Sequence, residues 1–137
     1  MEHLTRQSTT KLPAERFTGD AWLDLLALGT EPSRLTVGLV RFAPSARTAW
    51  HRHAVGQTLH CVSGTGVVAT RDGTVLVLRA GDTVHTPPGE WHWHGAAPDA
   101  FMEHLAISEG SGDAALPDVE WVEHVGDEEY RNATGTA

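Results

Sequence analysis

Short runs in which apolar and polar residues alternate, separated by turns rich in glycine and proline, recur along most of the chain. Residues 35–42 alternate in this way, which is the pattern of a half-buried β-strand. Residues 66–70 and 74–78 flank Asp72-Gly73, a dipeptide that strongly favours a two-residue hairpin turn. Further short segments of this kind lie at residues 57–62, 83–86, 92–96, 101–107 and 119–125. Closely spaced short strands with such turns predict an all-β barrel or sandwich.

The two ends of the chain have a less uniform pattern than its middle. Residues 21–28 are largely apolar and fit a short helix or equally a strand, because a Gly-Thr-Glu-Pro turn follows them. We therefore predict an N-terminal arm over residues 1–33, which docks on the barrel or on a partner subunit, and a barrel over residues 34–125. A C-terminal tail covers residues 126–137 and contains a helical turn at residues 127–131.

The composition is that of a globular protein with one domain, since the chain has 137 residues, 40% of them apolar and 20% charged. A formal net charge of −8 argues against nucleic acid or an anionic membrane as a partner. The expected partner is a small-molecule substrate. No stretch approaches the roughly 18 apolar residues of a membrane span, and the first residues lack the apolar core of a signal peptide. The single cysteine, Cys61, excludes an intramolecular disulfide, so we expect a cytoplasmic protein.

Two short histidine clusters carry the candidate chemistry. His51 and His53 are two residues apart, as are His92 and His94, and residues two apart in a strand point to the same face. Gln57 follows His53 closely enough to lie on that face as well. Three imidazoles and one amide oxygen that converge on a point form a four-ligand metal site. Imidazole suits Zn, Cu, Fe and Ni, and the carbonyl oxygen adds Mn to these candidates.

The spacing of the first cluster resembles the first sequence motif of the cupin family, G-x5-H-x-H-x3,4-E-x6-G. The defined positions are occupied by Ser45, His51, His53, Gln57 and Gly64. Ser45 stands where the family usually has Gly, and Gln57 stands where it usually has Glu. The chain is therefore similar to cupins in this region, with an amide in place of the usual carboxylate.

The second cluster resembles the second cupin motif, G-x5-P-x-G-x2-H-x3-N. Gly81, Pro87, Gly89 and His92 match it, while Ala96 replaces the final Asn. The two motifs together cover about half of the chain and are specific in combination. The resemblance implies an all-β, single-domain cupin, which is a small antiparallel β-barrel or jelly roll, here expected to have six to eight strands.

Further segments make the chain similar to a narrower group, the small bacterial cupins that include manganese-dependent hydroxynitrile lyases. These segments lie at residues 46–51, 56–59, 92–98, 104–107, 123–125 and 127–131. This resemblance implies one divalent metal ion per subunit, with Mn first and Fe, Ni, Co or Zn as alternatives. The implied ligands are His51, His53, Gln57 and His92. Because all four are neutral, such an ion would keep its full charge and act as a Lewis acid.

The same resemblance implies that His94 and His104 are catalytic and act on the substrate as acid and base. The implied reaction is the cleavage or formation of cyanohydrins, for example of mandelonitrile from benzaldehyde and cyanide. A homodimer or homotetramer is expected as well. His60 and His85 depart from these relatives, in which apolar residues are expected at the two positions, so the identity of the substrate stays open.

Two other functions remain open at this point. The same ligands fit a cupin dioxygenase or oxidase, and they also fit a non-enzymatic, metal-dependent binding module for small molecules. His94 could simply hydrogen-bond a neighbouring strand, and His104 could be a core histidine among apolar neighbours. His60 falls on the face opposite Gln57 in a regular strand, which predicts a position at an interface or on the surface.

Overall fold

The structure, a computed structural model, describes residues 1–135. Within this range the predicted alternating segments form an antiparallel sheet, and the predicted all-β class is confirmed. The elements are Thr10–Lys11 (β1), Phe17–Thr18 (β2), Ala21–Leu28 (β3), Leu35–Phe42 (β4), Arg47–Thr48 (β5), His51–His53 (β6), Gln57–Thr70 (β7), Val75–Arg79 (β8), Thr83–Thr86 (β9), His92–Ala96 (β10), Met102–Glu109 (β11), Val119–Trp121 (β12) and Asp127–Thr134 (α1). These twelve strands exceed the predicted six to eight, because several strands of only two or three residues also pair in the sheet.

The sheet curls back on itself along its longest strand. Its main order is β1-β3-β4-β11-β7-β10-β5-β2. The first half of β7 pairs with β11 and β9, and the second half pairs with β10 and β8. Between the halves, Gly64 has a φ of 78°, and a Cβ there would collide with the backbone of Phe101. The two segments predicted at residues 57–62 and 66–70 are therefore one bent strand.

The core fills the space that this bend encloses. Phe42 and Leu59 from one half of the sheet are fully buried together with Leu78 from the other half, and they belong to one apolar cluster. Met102 and Cys61 are also fully buried in that cluster. The barrel interior is therefore apolar at this end, and the side chains that alternate with the core residues point outward.

The segment at residues 21–28 is a strand and not a helix. β3 pairs with β4 along its length, and β1 pairs with the beginning of β3. The side chain of Phe17 in β2 is buried, with its ring centroid 6.2 Å from Phe42 and 5.9 Å from Trp121. Residues 17–18 and 21–28 of the predicted arm therefore pair with strands of their own chain.

The hairpin between β7 and β8 has a longer turn than its dipeptide signal predicted. The backbone N–H of Thr70 donates to the carbonyl of Thr74 at 3.0 Å, so three residues form the loop. Gly73 occupies the left-handed position with a φ of 88°. This arrangement is the three-residue hairpin loop that requires glycine at its last position. The prediction of a hairpin here is confirmed, and the two-residue length was wrong.

The C-terminal segment is hydrogen-bonded to β5 and to β10, and β10 carries His92 and His94. Arg47 of β5 donates to the carbonyl of Val125 at 2.8 and 3.1 Å and to Asp127 at 2.9 Å. The Tyr130 hydroxyl of α1 donates to the carbonyl of Ala96 in β10 at 2.5 Å. The helix is longer than the predicted turn at residues 127–131. Positions 136–137 of the predicted tail lie outside the described residues, and no helix within residues 1–135 is long and apolar enough to cross a membrane.

Candidate metal centre

Three of the predicted metal ligands come together inside the barrel. His51 and His53 lie on the same face of β6, and His92 of β10 is paired in register with His51. One nitrogen from each of the three rings lies within 4.8 Å of the others. All three side chains are buried. We refer to His51, His53 and His92 as the ligand group.

Backbone carbonyls orient two rings of the ligand group. The Nδ1–H of His51 donates to the carbonyl of Ala49 at 2.9 Å, and that of His92 donates to the carbonyl of Glu90 at 2.9 Å. Each of these rings is left with a lone pair on Nε2. His53 adds a buried Nε2 that has no hydrogen-bond partner within residues 1–135. Two rings held by backbone hydrogen bonds and a third with an unpartnered buried nitrogen, all converging on one point, suit a metal ion.

Gln57 adds an oxygen atom to the ligand group. It is the first residue of β7, is buried, and places its Oε1 atom 3.1 Å from Nε2 of His92. With Nδ1 of His92 donating to a carbonyl, Nε2 of His92 keeps its lone pair beside the Gln57 amide. The amide oxygen therefore lies close enough to the ligand group to fit the fourth ligand position. The set of four ligands stays a prediction that this geometry supports.

Burial keeps the ligand group in the form that binds metals. Burial, with repulsion from the neighbouring rings, holds the pKa of His51 well below its usual range. Burial and His92 together lower the pKa of His53 to about 4, and burial lowers the pKa of His92. The three imidazoles are therefore neutral at neutral pH and need release no proton to a metal ion.

A second pair of histidines lies beside the ligand group. His94 follows His92 on the same face of β10, and its Nδ1 lies 3.0 Å from Nε2 of His104 on β11. The ring centroids of His94 and His51 are 5.2 Å apart. Phe42 contacts both members of the pair, at centroid distances of 5.9 and 5.4 Å. We refer to His94 and His104 as the histidine pair.

The histidine pair can hold a proton but does not carry one at neutral pH. Burial and the other rings place the pKa of His94 well below its usual range, and burial lowers the pKa of His104 to about 4. The outer nitrogens, Nε2 of His94 and Nδ1 of His104, have no hydrogen-bond partner among the described residues. The two rings share one hydrogen bond and leave two buried nitrogens without a partner. The histidine pair can therefore act as a base toward a polar ligand.

His60 and His85, whose roles the sequence left open, lie outside the ligand group and the histidine pair. His60 contacts the hydroxyl of Thr83 at 2.8 Å, and His85 contacts that of Thr58 at 3.1 Å. His60 and His85 therefore belong to the outer face of the sheet, as the alternation from Gln57 predicted for His60.

Sequence reasoning missed one aromatic neighbour of the ligand group. Trp121 stacks on His51, with centroids 4.4 Å apart and an interplanar angle of 24°. It does so because β12 pairs with β6 and sets Trp121 opposite His51. The alternation near residue 120 indicated a strand but not its partner, since the two strands are far apart in sequence.

The chain is similar to a protein family and to several known proteins. The profile of the family described as Cupin domain matches residues 38–108. An (R)-mandelonitrile lyase of Granulicella tundricola is 46% identical over 125 residues, which cover 91% of this chain and 93% of that protein. The crystal structure of a cupin-like protein from Thermotoga maritima has 38% identity and a TM-score of 0.83, with 98% of each chain covered. The polyketide cyclase RemF of Streptomyces resistomycificus has the same fold at 17% identity, with a TM-score of 0.69 and coverage of 96% and 91%.

Proposed function

Because this chain belongs to the cupin family, we propose that it is a metal-dependent lyase that cleaves and forms cyanohydrins, with mandelonitrile as a representative substrate. The observation that carries the proposal is the buried histidine pair directly beside the ligand group. The similarity to an (R)-mandelonitrile lyase over most of both chains supports it.

The proposed cofactor is one divalent ion per subunit, held by His51, His53, Gln57 and His92. Mn is the first candidate, because an oxygen ligand accompanies the imidazoles, and Fe, Ni, Co and Zn are alternatives. When bound, the ion supplies Lewis-acid polarisation of a substrate oxygen, and four neutral ligands would leave its charge undiminished. The buried, unpartnered nitrogen of His53 supports this assignment.

The histidine pair is proposed to move the proton of the reaction. As the carbon–carbon bond to cyanide breaks, its electron pair leaves with cyanide, the hydroxyl proton passes to an imidazole, and a carbonyl group forms. The imidazolium then protonates cyanide, so that aldehyde and hydrogen cyanide leave the site. Burial lowers the pKa of His104 to about 4, so the ring accepts a proton readily only where negative charge develops nearby.

The proposal is tested by removing metal from the purified protein with a chelator and restoring Mn, Fe, Ni, Co and Zn singly. Benzaldehyde released from mandelonitrile is followed by absorbance. We expect no cleavage without metal and the fastest cleavage with Mn. A protein that cleaves no cyanohydrin with any of the five metals is not a hydroxynitrile lyase. If that protein instead consumes dioxygen with a diketone or alkene, it is an oxygenase.

We further propose that the chain acts in the cytoplasm as a homodimer or homotetramer. Residues 1–11 are exposed along their whole length, and β1 leaves one edge of the sheet open to pairing. The unpaired Cys61 is compatible with a reducing compartment. Light scattering at micromolar protein is expected to give a dimer or tetramer mass, and a monomer mass would contradict this assembly.

A further inference from the structure

A small cleft lies between β8 and β9, beside the second half of β7. It has a volume of about 130 Å³. Its walls are the apolar side chains of Val68, Leu76 and Val84, with the hydroxyls of Thr70 and Thr86 among them. None of these five residues belongs to the ligand group or the histidine pair.

One wall of the cleft adjoins the proposed site directly. Thr70 of β7 is paired in register with His92 of β10, and Val68 is paired with His94. Residues opposite one another in an antiparallel pair share a face, and their Cβ atoms lie about 4.5–5.5 Å apart. Thr70 and Val68 are therefore direct cross-strand neighbours of a proposed metal ligand and of one member of the histidine pair.

The wall formed by β8 and β9 also adjoins a proposed metal ligand. Thr86 is paired in register with Gln57, and both side chains are buried. Leu76 is opposite Val68, so it also faces the interior, yet 48% of its surface is exposed. A large apolar side chain that faces inward and remains half open to solvent gains free energy when a ligand covers it.

The cleft is suited to an uncharged apolar group. Its volume is close to that of an engineered apolar cavity of about 150 Å³ that binds benzene. Asp72, His85 and Glu90 also line the cleft, and none of its lining residues is a lysine or arginine. Carboxylates without a partner cation there disfavour a negatively charged ligand.

We propose that this cleft receives the uncharged substituent of the cyanohydrin, which is a single aromatic ring or a branched alkyl group. Leu76 and Val84 then determine how large that substituent is. The inference rests on the proposed lyase function and specifies the substrate class of that site. It places the reacting hydroxyl between the ligand group and the histidine pair, while the substituent points toward β8 and β9.

The test narrows the cleft and compares two substrates of different size. Leu76→Trp adds bulk inside the cleft, and Val77→Trp is the matched control. Val77 is 45% exposed and faces outward, because it follows Leu76 in the strand. We expect Leu76→Trp to lower kcat/KM for mandelonitrile at least about tenfold relative to lactonitrile, whose substituent is a methyl group. Val77→Trp should leave that ratio unchanged.

A second variant and a binding measurement guard against a folding defect. Val84→Leu adds one methylene and should shift the same ratio in the same direction. In the metal-free protein, benzyl alcohol should shift the methyl resonances of Val68, Leu76 and Val84, and Leu76→Trp should abolish these shifts.

The outcomes separate the two proposals. If the wild type cleaves neither cyanohydrin with any metal, the lyase function fails. If the wild type is active but folded Leu76→Trp and Val84→Leu leave the substrate ratio unchanged, the substituent lies elsewhere and this inference fails. An absence of methyl shifts with benzyl alcohol in an active wild type also overturns it.

Discussion

The ligand group and the histidine pair meet on one strand yet differ in what holds their rings. His92 and His94 lie two residues apart on the same face of β10. Nδ1 of His92 donates to the carbonyl of Glu90, whereas Nδ1 of His94 faces the imidazole of His104. A backbone carbonyl cannot give up or take a proton at neutral pH, so it fixes the His92 ring with its lone pair toward the barrel. An imidazole can do both, so the contact at His94 leaves a proton free to move.

Metal content and reaction rate should therefore respond differently to substitutions in the two groups. Loss of a ligand-group residue should remove the metal and, with it, the reaction. Loss of a residue of the histidine pair should leave metal content intact and slow the reaction alone. The comparison fails if both kinds of variant lose metal or if neither does.

The largest effect is expected from the double variant His51→Ala/His92→Ala. Two of the three imidazoles that converge on one point are then absent, and a neutral pair of ligands does not retain a divalent ion. Metal content, measured by elemental analysis after dialysis, should fall from about one ion per chain to background, and cyanohydrin cleavage should fall with it. Equal metal content in the wild type and the folded double variant would show that the ion lies elsewhere.

The next largest effect is expected from His104→Ala. This variant should retain metal but lose a factor of about 10² to 10⁴ in the rate of mandelonitrile cleavage, the usual cost of removing a general base. His60→Ala is the matched control, because His60 lies on the neighbouring strand but on the outer face of the sheet. It should retain both metal and activity. Wild-type activity in His104→Ala would make His104 a packing residue.

Sequence patterns predicted those features of the fold that depend only on residues close together in the chain. The His-x-His spacing placed His51 and His53 on one face, and alternation from Gln57 placed His60 outside. Such inferences need only the two-residue period of a strand. The sequence did not predict that residues 57–62 and 66–70 form one strand. Gly64 is a residue type typical of turns, whereas here it bends a continuous strand.

Contacts between distant segments were beyond these patterns. The stacking of Trp121 on His51 and the hydrogen bond between His94 and His104 depend on which strands pair and in which register. Register is set by packing in the whole sheet. Residues 21–28 were ambiguous for the same reason, since only pairing with β4 makes this apolar run a strand. The resemblance to cupins, rather than the pattern of the segment itself, indicated a role for His104.

Acidification should destabilise the metal-free protein through the buried histidines. Burial lowers the pKa of His104 from 6.5 to about 4 in the folded state, so between these values the unfolded chain binds more protons. Stability is then lost as the pH falls from 6.5 to 4, by roughly 3 kcal/mol for this residue. Urea unfolding of the metal-free protein at several pH values measures the slope. His104→Gln, which cannot titrate, should have a shallower slope, and an identical slope would contradict the assignment.

The smallest effect is expected from Gln57→Ala, and it tests whether the amide belongs with the ligand group. The three imidazoles remain in this variant, so metal should bind more weakly, by about tenfold or more, rather than not at all. Activity should be low at limiting Mn and rise as Mn is added, which His104→Ala should not do. Gln57→Glu restores an oxygen ligand and adds a negative charge, so it should bind Mn at low concentration while polarising the substrate less.

If Gln57→Ala instead binds Mn as tightly as the wild type and is inactive at every Mn concentration, Gln57 acts on the substrate and belongs functionally with the histidine pair. The distance of 3.1 Å between Oε1 of Gln57 and Nε2 of His92 argues for weaker metal binding in Gln57→Ala, because it places the amide oxygen beside a proposed ligand nitrogen.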